Sequence, residues 1–171
     1  MSSALNTYVR WVDALNEGVG RVVMFVLLFA LMGILLYSTI AGPVFDQYPV
    51  WTIEMGEFVM TAYYLLGGGY SMKHEGHVRM DVLYSRWSTR TRAIVDSVTD
   101  ILMILFLTVL LIGGISSASY AIKYNQHNYS AWSPPMAPIK VIMVAGIVLM
   151  LLQATSILIK DLKAAHSGDP A

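Results

Sequence analysis

The chain has 171 residues, of which 56% are hydrophobic and 13% charged, and its formal net charge is zero. Soluble domains carry about 25% charged residues, so the shortfall points to lipid, and the balanced charge offers no footing for nucleic acid. With no cysteine, disulfides, thiol catalysis, thiolate zinc and iron–sulfur sites are excluded together, while the redox compartment stays open.

The chain begins with a patterned stretch, "ALNTYVRWVDALNEGVGRVV", in which Leu5, Tyr8, Val9, Val12 and Leu15 recur at helical spacing. Two readings fit it. It is an amphipathic helix lying on the inner membrane surface, or it extends the span that follows. That span, about 19–41, is too long for the apolar core of a signal peptide and lacks a well-placed small-x-small cleavage site. A short loop, "GPVFDQYPVW", leads to a second apolar run at about 50–72. Further runs follow at about 94–121 and 139–159. Each is long enough for a hydrocarbon core of about 30 Å, which needs roughly 20 residues.

The second run carries Glu54 and Glu57, three apart and so on one helical face. Carboxylates within a span are functional candidates, because an ion in lipid costs several kcal/mol. These two lie within the first turns after Pro49, where the outer interface and the positive end of the helix dipole are in reach. An interfacial acid that packs against a partner fits that position better than a proton relay. The same run ends in "LLGGGYSM", and Gly113 and Gly114 with Ser116, Ser117 and Ser119 form a similar patch in the third run. Small residues let helix backbones approach closely in a bilayer, so both patches read as helix–helix contact faces.

Between the second and third runs lies "HEGHVRMD", His74 to Asp81. A metalloprotease helix needs histidines four apart, whereas His74 and His77 are three apart with Gly76 between them. His77 and Asp81 could share a ligand, but two ligands do not make a catalytic centre. All four histidines lie outside the apolar runs, which argues against bis-histidine haem. No nucleophile–base set and no phosphate loop is present, so no catalytic residue, metal or cofactor is expected. The residues that follow alternate faces: Met80, Leu83, Tyr84 and Trp87 on one, Arg79, Asp81, Ser85, Arg86 and Arg90 on the other. This predicts a central interfacial helix over about 78–90. The last loop, "YNQHNYSAWSPPMAPIK", is aromatic and proline-rich, with Pro134 and Pro135 barring regular helix and Pro138 suited to a first turn.

Basic residues set the orientation. Arg10, Arg21, Lys73, Arg79, Arg86, Arg90, Arg92, Lys160 and Lys163 fall on one side, against Lys123 and Lys140 on the other. The expected architecture is an all-α integral membrane protein. It has four transmembrane helices, an N-terminal and a central amphipathic interfacial helix, and both termini in the cytoplasm, all in one membrane domain over 1–171. Such a chain, with contact faces but no chemistry, has the look of an accessory subunit. A membrane anchor or adaptor of another inner-membrane complex, such as a redox enzyme, is the alternative reading.

A set of motifs then narrows the choice. Trp51 and Glu54 form a W-x-x-E at the start of the second span. Gly67 follows thirteen residues after the glutamate, and His77-Val-Arg79-Met-Asp81 begins twenty-three residues after it. With "GHVRMDVLYSRWSTRTRA" and the loop bearing Trp132, Pro134 and Pro135, the chain resembles the small membrane subunit of tripartite ATP-independent periplasmic transporters, the DctQ family, over about residues 5–165. One departure is plain: where many members carry an Arg-Tyr pair near the outer end of the first span, this chain has "LLYSTIAG". The resemblance implies a bacterial inner-membrane protein bound to a large, elevator-type transporter subunit and embedded in lipid. It also implies a periplasmic substrate-binding protein that delivers an organic acid, taken up on a sodium gradient. The motif residues are expected to serve structure or interfaces.

Overall fold

The computed structural model describes residues 3–46, 49–73 and 89–167. These residues form four helices: α1 (Ser3–Phe45), α2 (Trp51–Lys73), α3 (Thr89–Lys123) and α4 (Ala137–Ser167). Among the described residues there is no strand, only an isolated bridge between His127 and Pro135. The central interfacial helix expected over 78–90, and the HEGHVRMD segment with it, lie outside the described residues except where α3 begins.

The first expectation to be corrected is the separate N-terminal helix. The patterned stretch runs without a break into the first span, as one helix of 43 residues. Nothing before Pro43 forces an end, and its apolar stripe is not turned toward a membrane surface. Val9 and Val12 are buried, and the neighbouring Tyr8 and Asn16 reach α4. The stripe satisfies itself against helices of the same chain.

Local chemistry fixes the other ends. Asp46 adopts a φ of 49° after α1, with its N–H donating to the Gly42 carbonyl. The helix thus ends on a left-handed residue, a position for which aspartate is better suited than most. At α3, Asn125 takes φ 46°, and the Gln126 N–H reaches back to the Ala121 carbonyl at 3.0 Å. That is a Schellman-type stop. The Lys140 N–H donates to the Met136 carbonyl to start α4, and Pro138 occupies the first turn, where a missing N–H costs little.

The helices pack in the order α1, α2, α4, α3, with a smaller contact between α1 and α4. Neighbours α1 and α2 run antiparallel in even register: Ser38 meets Thr52, Gly20 meets Tyr70 and Glu17 meets Lys73. By contrast α2 and α4 run parallel, Leu65 lying against Gly146 and Gly68 against Met150. Their approach is close. A methyl group on Gly146 would stand 2.8 Å from the Leu65 backbone, so only glycine fits there. The triple glycine of α2 serves both neighbours: Gly67 meets Met24 of α1, and Gly68 meets Met150 of α4. Gly114 likewise packs against Val144 and Ile147, while Gly113 faces open space. The first patch, and Gly114 of the second, make contacts within the chain.

A core of Met72, Leu107, Ile147 and Ala154 lies between α2, α3 and α4. The outer helices keep large apolar side chains exposed, among them Phe25, Phe29 and Leu36 on α1 and Leu102, Phe106 and Ile112 on α3. Apolar faces of this extent are not tolerated in water. Among the described residues three helices, Leu5–Phe45, Val98–Lys123 and Ala137–Leu162, are long and apolar enough to cross a membrane. The 23-residue α2 has the length but not the composition. It sits between α1 and α4 and carries Glu54, Glu57 and the glycines.

Candidate functional site: polar clusters at two ends of the helical layer

Where α1 ends and α2 begins, the chain builds its first polar cluster. The Thr52 hydroxyl donates to the Pro49 carbonyl at 2.7 Å and meets the Ser38 hydroxyl at 3.1 Å. This closes the α1–α2 turn. Trp51 stacks on Tyr37 with ring centres 5.7 Å apart, an aromatic pair of the kind found at membrane interfaces. One turn deeper, Glu54 is only 6% exposed. Its carboxylate accepts a hydrogen bond from the Asn128 amide at 3.4 Å, long but directed. Glu57, three residues on, is exposed, so the two acids do not share one environment.

Asn128 belongs to the loop between α3 and α4, and that loop is pinned at several points. The Asn128 N–H donates to the Pro134 carbonyl at 3.0 Å, and the Met136 N–H to the Gln126 carbonyl at 2.8 Å. Lys140 Nζ donates to Gln126 Oε1 at 2.7 Å. Pro134 is buried, whereas Pro135, Trp132 and Tyr129 are exposed. Ser133 takes a positive φ of 50°, which turns the chain between the tip and the two prolines. Glu54 therefore holds a preformed loop rather than a flexible one. Among the motif residues, the structure brings Trp51, Glu54 and Pro134 to this end, with Trp132 and Pro135 on the loop surface. Gly67 lies lower, between α1 and α2. His77, Arg79 and Asp81 lie outside the described residues.

The second cluster, at the N-terminal end of α1, has no counterpart among the sequence candidates. Asp13 Oδ2 pairs with Lys160 Nζ at 2.7 Å, and Asp13 Oδ1 accepts from Gln153 Nε2 at 3.0 Å and from the Ser156 hydroxyl at 3.2 Å. The Asn16 amide donates to Gln153 Oε1 at 3.0 Å and to the Val12 carbonyl at 3.2 Å. Asn16 is 1% exposed, and Gln153 and Ser156 are fully buried. Glu17 pairs with Arg21 on its own helix and with Lys73, the last residue of α2. Tyr8 meets Thr155 at 3.0 Å. The available signal was faint: an aspartate, an asparagine and a glutamate at helical spacing before an apolar run, and one glutamine in the last span.

These clusters bind helices and a loop together. Among the described residues no group of three or more His, Asp or Glu side chains could hold a metal. A family model described as "Tripartite ATP-independent periplasmic transporters, DctQ component" matches residues 31–164. No curated protein matches the chain.

Proposed function

We propose, from the premise that the chain belongs to the DctQ component family of tripartite ATP-independent periplasmic transporters, that it is the scaffold on which a larger transport subunit works. As a member of that family it is the small permease component of a transporter, in a multi-pass membrane setting. The finer reading is as follows. Both termini are cytoplasmic, and α2 is the fourth span. At 1.5 Å per residue its 23 residues reach about 35 Å, enough for the hydrocarbon core. Held between α1 and α4, it buries Thr52, Glu54, Gly67 and Gly69, while Ile53, Met60 and Tyr64 face outward. A large, elevator-type partner carries the substrate and sodium sites. A periplasmic binding protein delivers an organic acid to the outer face.

The family match carries this reading. It is supported by a layer in which Asp13, Glu17 and Glu54 are engaged within the chain and whose outer helices offer broad apolar faces to lipid or to a partner. Motif residues take structural or interface roles: Trp51 and Glu54 with the loop of Trp132, Pro134 and Pro135 at the outer end, Gly67 between helices, and His77, Arg79 and Asp81 in the central segment. The experiment is deletion of this chain from cells that retain the large partner and the binding protein, with uptake of the binding protein's ligand measured. Uptake should vanish and return with the intact chain. Undiminished uptake in the deletion strain would refute the assignment.

A further inference from the structure

The cluster around Asp13 has a geometry of its own. Along α2, α1 advances residue for residue: Ser38 to Thr52 at one end, Glu17 to Lys73 at the other. Against α4 the pattern differs. From Tyr8 to Asn16, α1 advances eight residues, about 12 Å of helix. The partners on α4, Thr155 and Gln153, are only two residues apart, about 3 Å. The N-terminal third of α1 therefore runs past Lys73, where the described part of α2 ends, and meets α4 between Gln153 and Lys160 without that even register.

Burial of Val9 and Val12 alone does not explain why it crosses there. In lipid there is little hydrophobic drive between helices, and interhelical polar contacts take a larger part in fixing geometry. Little of the apolar span of α1 is buried. Beside the buried Val9 and Val12, polar groups join α1 to α4: Asp13, Asn16 and Tyr8 against Gln153, Thr155, Ser156 and Lys160. The acids of α1, four residues apart, each take a lysine from a different neighbour, Asp13 from α4 and Glu17 from α2. A single buried polar contact can set the register of packed helices, and here several act together.

We infer that Asp13, through Lys160, Gln153 and Ser156, is a positioning residue that locks the N-terminal third of α1 across α4. The lock makes α1, α2 and α4 one preassembled unit whose shape needs no partner. Through Glu17 the unit also holds Lys73, where the described part of α2 ends.

The absence of cysteine makes this testable by spin-label distances on the full chain in lipid nanodiscs. One label pair is placed through Trp11→Cys and Leu162→Cys, both exposed positions flanking the crossing. A second pair, Val44→Cys and Ile53→Cys, reports the opposite end of α1 and α2. The native chain should give a single narrow distance for the first pair. Asp13→Lys should shift it to longer, broader distances, and Asp13→Lys with Lys160→Asp should bring it back. The second pair should not move in any variant. An unchanged first distance in Asp13→Lys, a charge swap that fails to restore it, or movement of the second pair would each overturn the inference. Should Asp13→Lys not accumulate, Asp13→Asn removes the charge at constant shape. It is then required to broaden the first distance, and an unchanged distance refutes the lock.

Discussion

Replacing Gly146 with alanine tests how tightly the layer is built. The added Cβ would lie 2.8 Å from the carbonyl carbon, carbonyl oxygen and Cβ of Leu65. Carbon atoms sit comfortably at roughly 3.5–4.0 Å, so α4 would have to retreat from α2 by about 0.7 Å at this point. Backbone cannot rotate out of the way as a methionine side chain can. Overpacking of this kind costs about 1–3 kcal/mol, while alanine's better helix propensity returns up to about 1 kcal/mol. The control is Gly113→Ala, where nothing lies within contact distance of the new methyl. The propensity gain is common to both, so the two variants should differ by about 1–3 kcal/mol, with Gly146→Ala the less stable. Reversible unfolding in mixed micelles, titrated with a denaturing detergent and followed by circular dichroism, gives both values. Equal midpoints for the two variants would refute the close α2–α4 contact and with it the helix order α1, α2, α4, α3.

Four further outcomes are expected. Glu54→Ala leaves the Asn128 amide without its acceptor, which should loosen the α3–α4 loop at a cost of about 1–3 kcal/mol; faster hydrogen exchange over residues 124–136 is the measurement. Glu54→Gln keeps an acceptor in place and should preserve both assembly and sodium coupling. Loss of coupling in an intact complex would give Glu54 a transport role instead. Asn125→Val puts a β-branched residue at a positive φ and should lower stability by about 1–2 kcal/mol, read from the same unfolding titration. His77→Ala or Asp81→Ala should reduce assembly or uptake without altering which substrate is preferred, checked by competition uptake with a panel of organic acids.

Much of the helical content was legible in the sequence, because apolar runs of some 20 residues admit few structures. Helix order was not. In a lipid-facing chain both the buried and the exposed faces of a helix are apolar, so Phe25 and Phe29 on the outside of α1 read no differently from Leu107 in the core. Gly146 gave no warning either. A single glycine in an apolar run says nothing until Leu65, 81 residues earlier, is placed against it. Glu54 stood out because charge is scarce in α2, yet its partner Asn128 could not be named from 74 residues away. The Asp13 cluster is hidden for a related reason. Asp13 and Asn16 read as ordinary polar residues on the surface of a helix lying in the interface. Only the continuation of α1 past Lys73 turns Asn16 toward Gln153, 137 residues on.

The central claim is that this chain works as part of a larger membrane complex. Affinity purification of the tagged chain from the native membrane, followed by mass measurement of the intact assembly, addresses it directly. The account predicts that the chain elutes in stable association with a much larger multi-span membrane protein. If it elutes without one from membranes that contain the large transporter subunit, the account is contradicted.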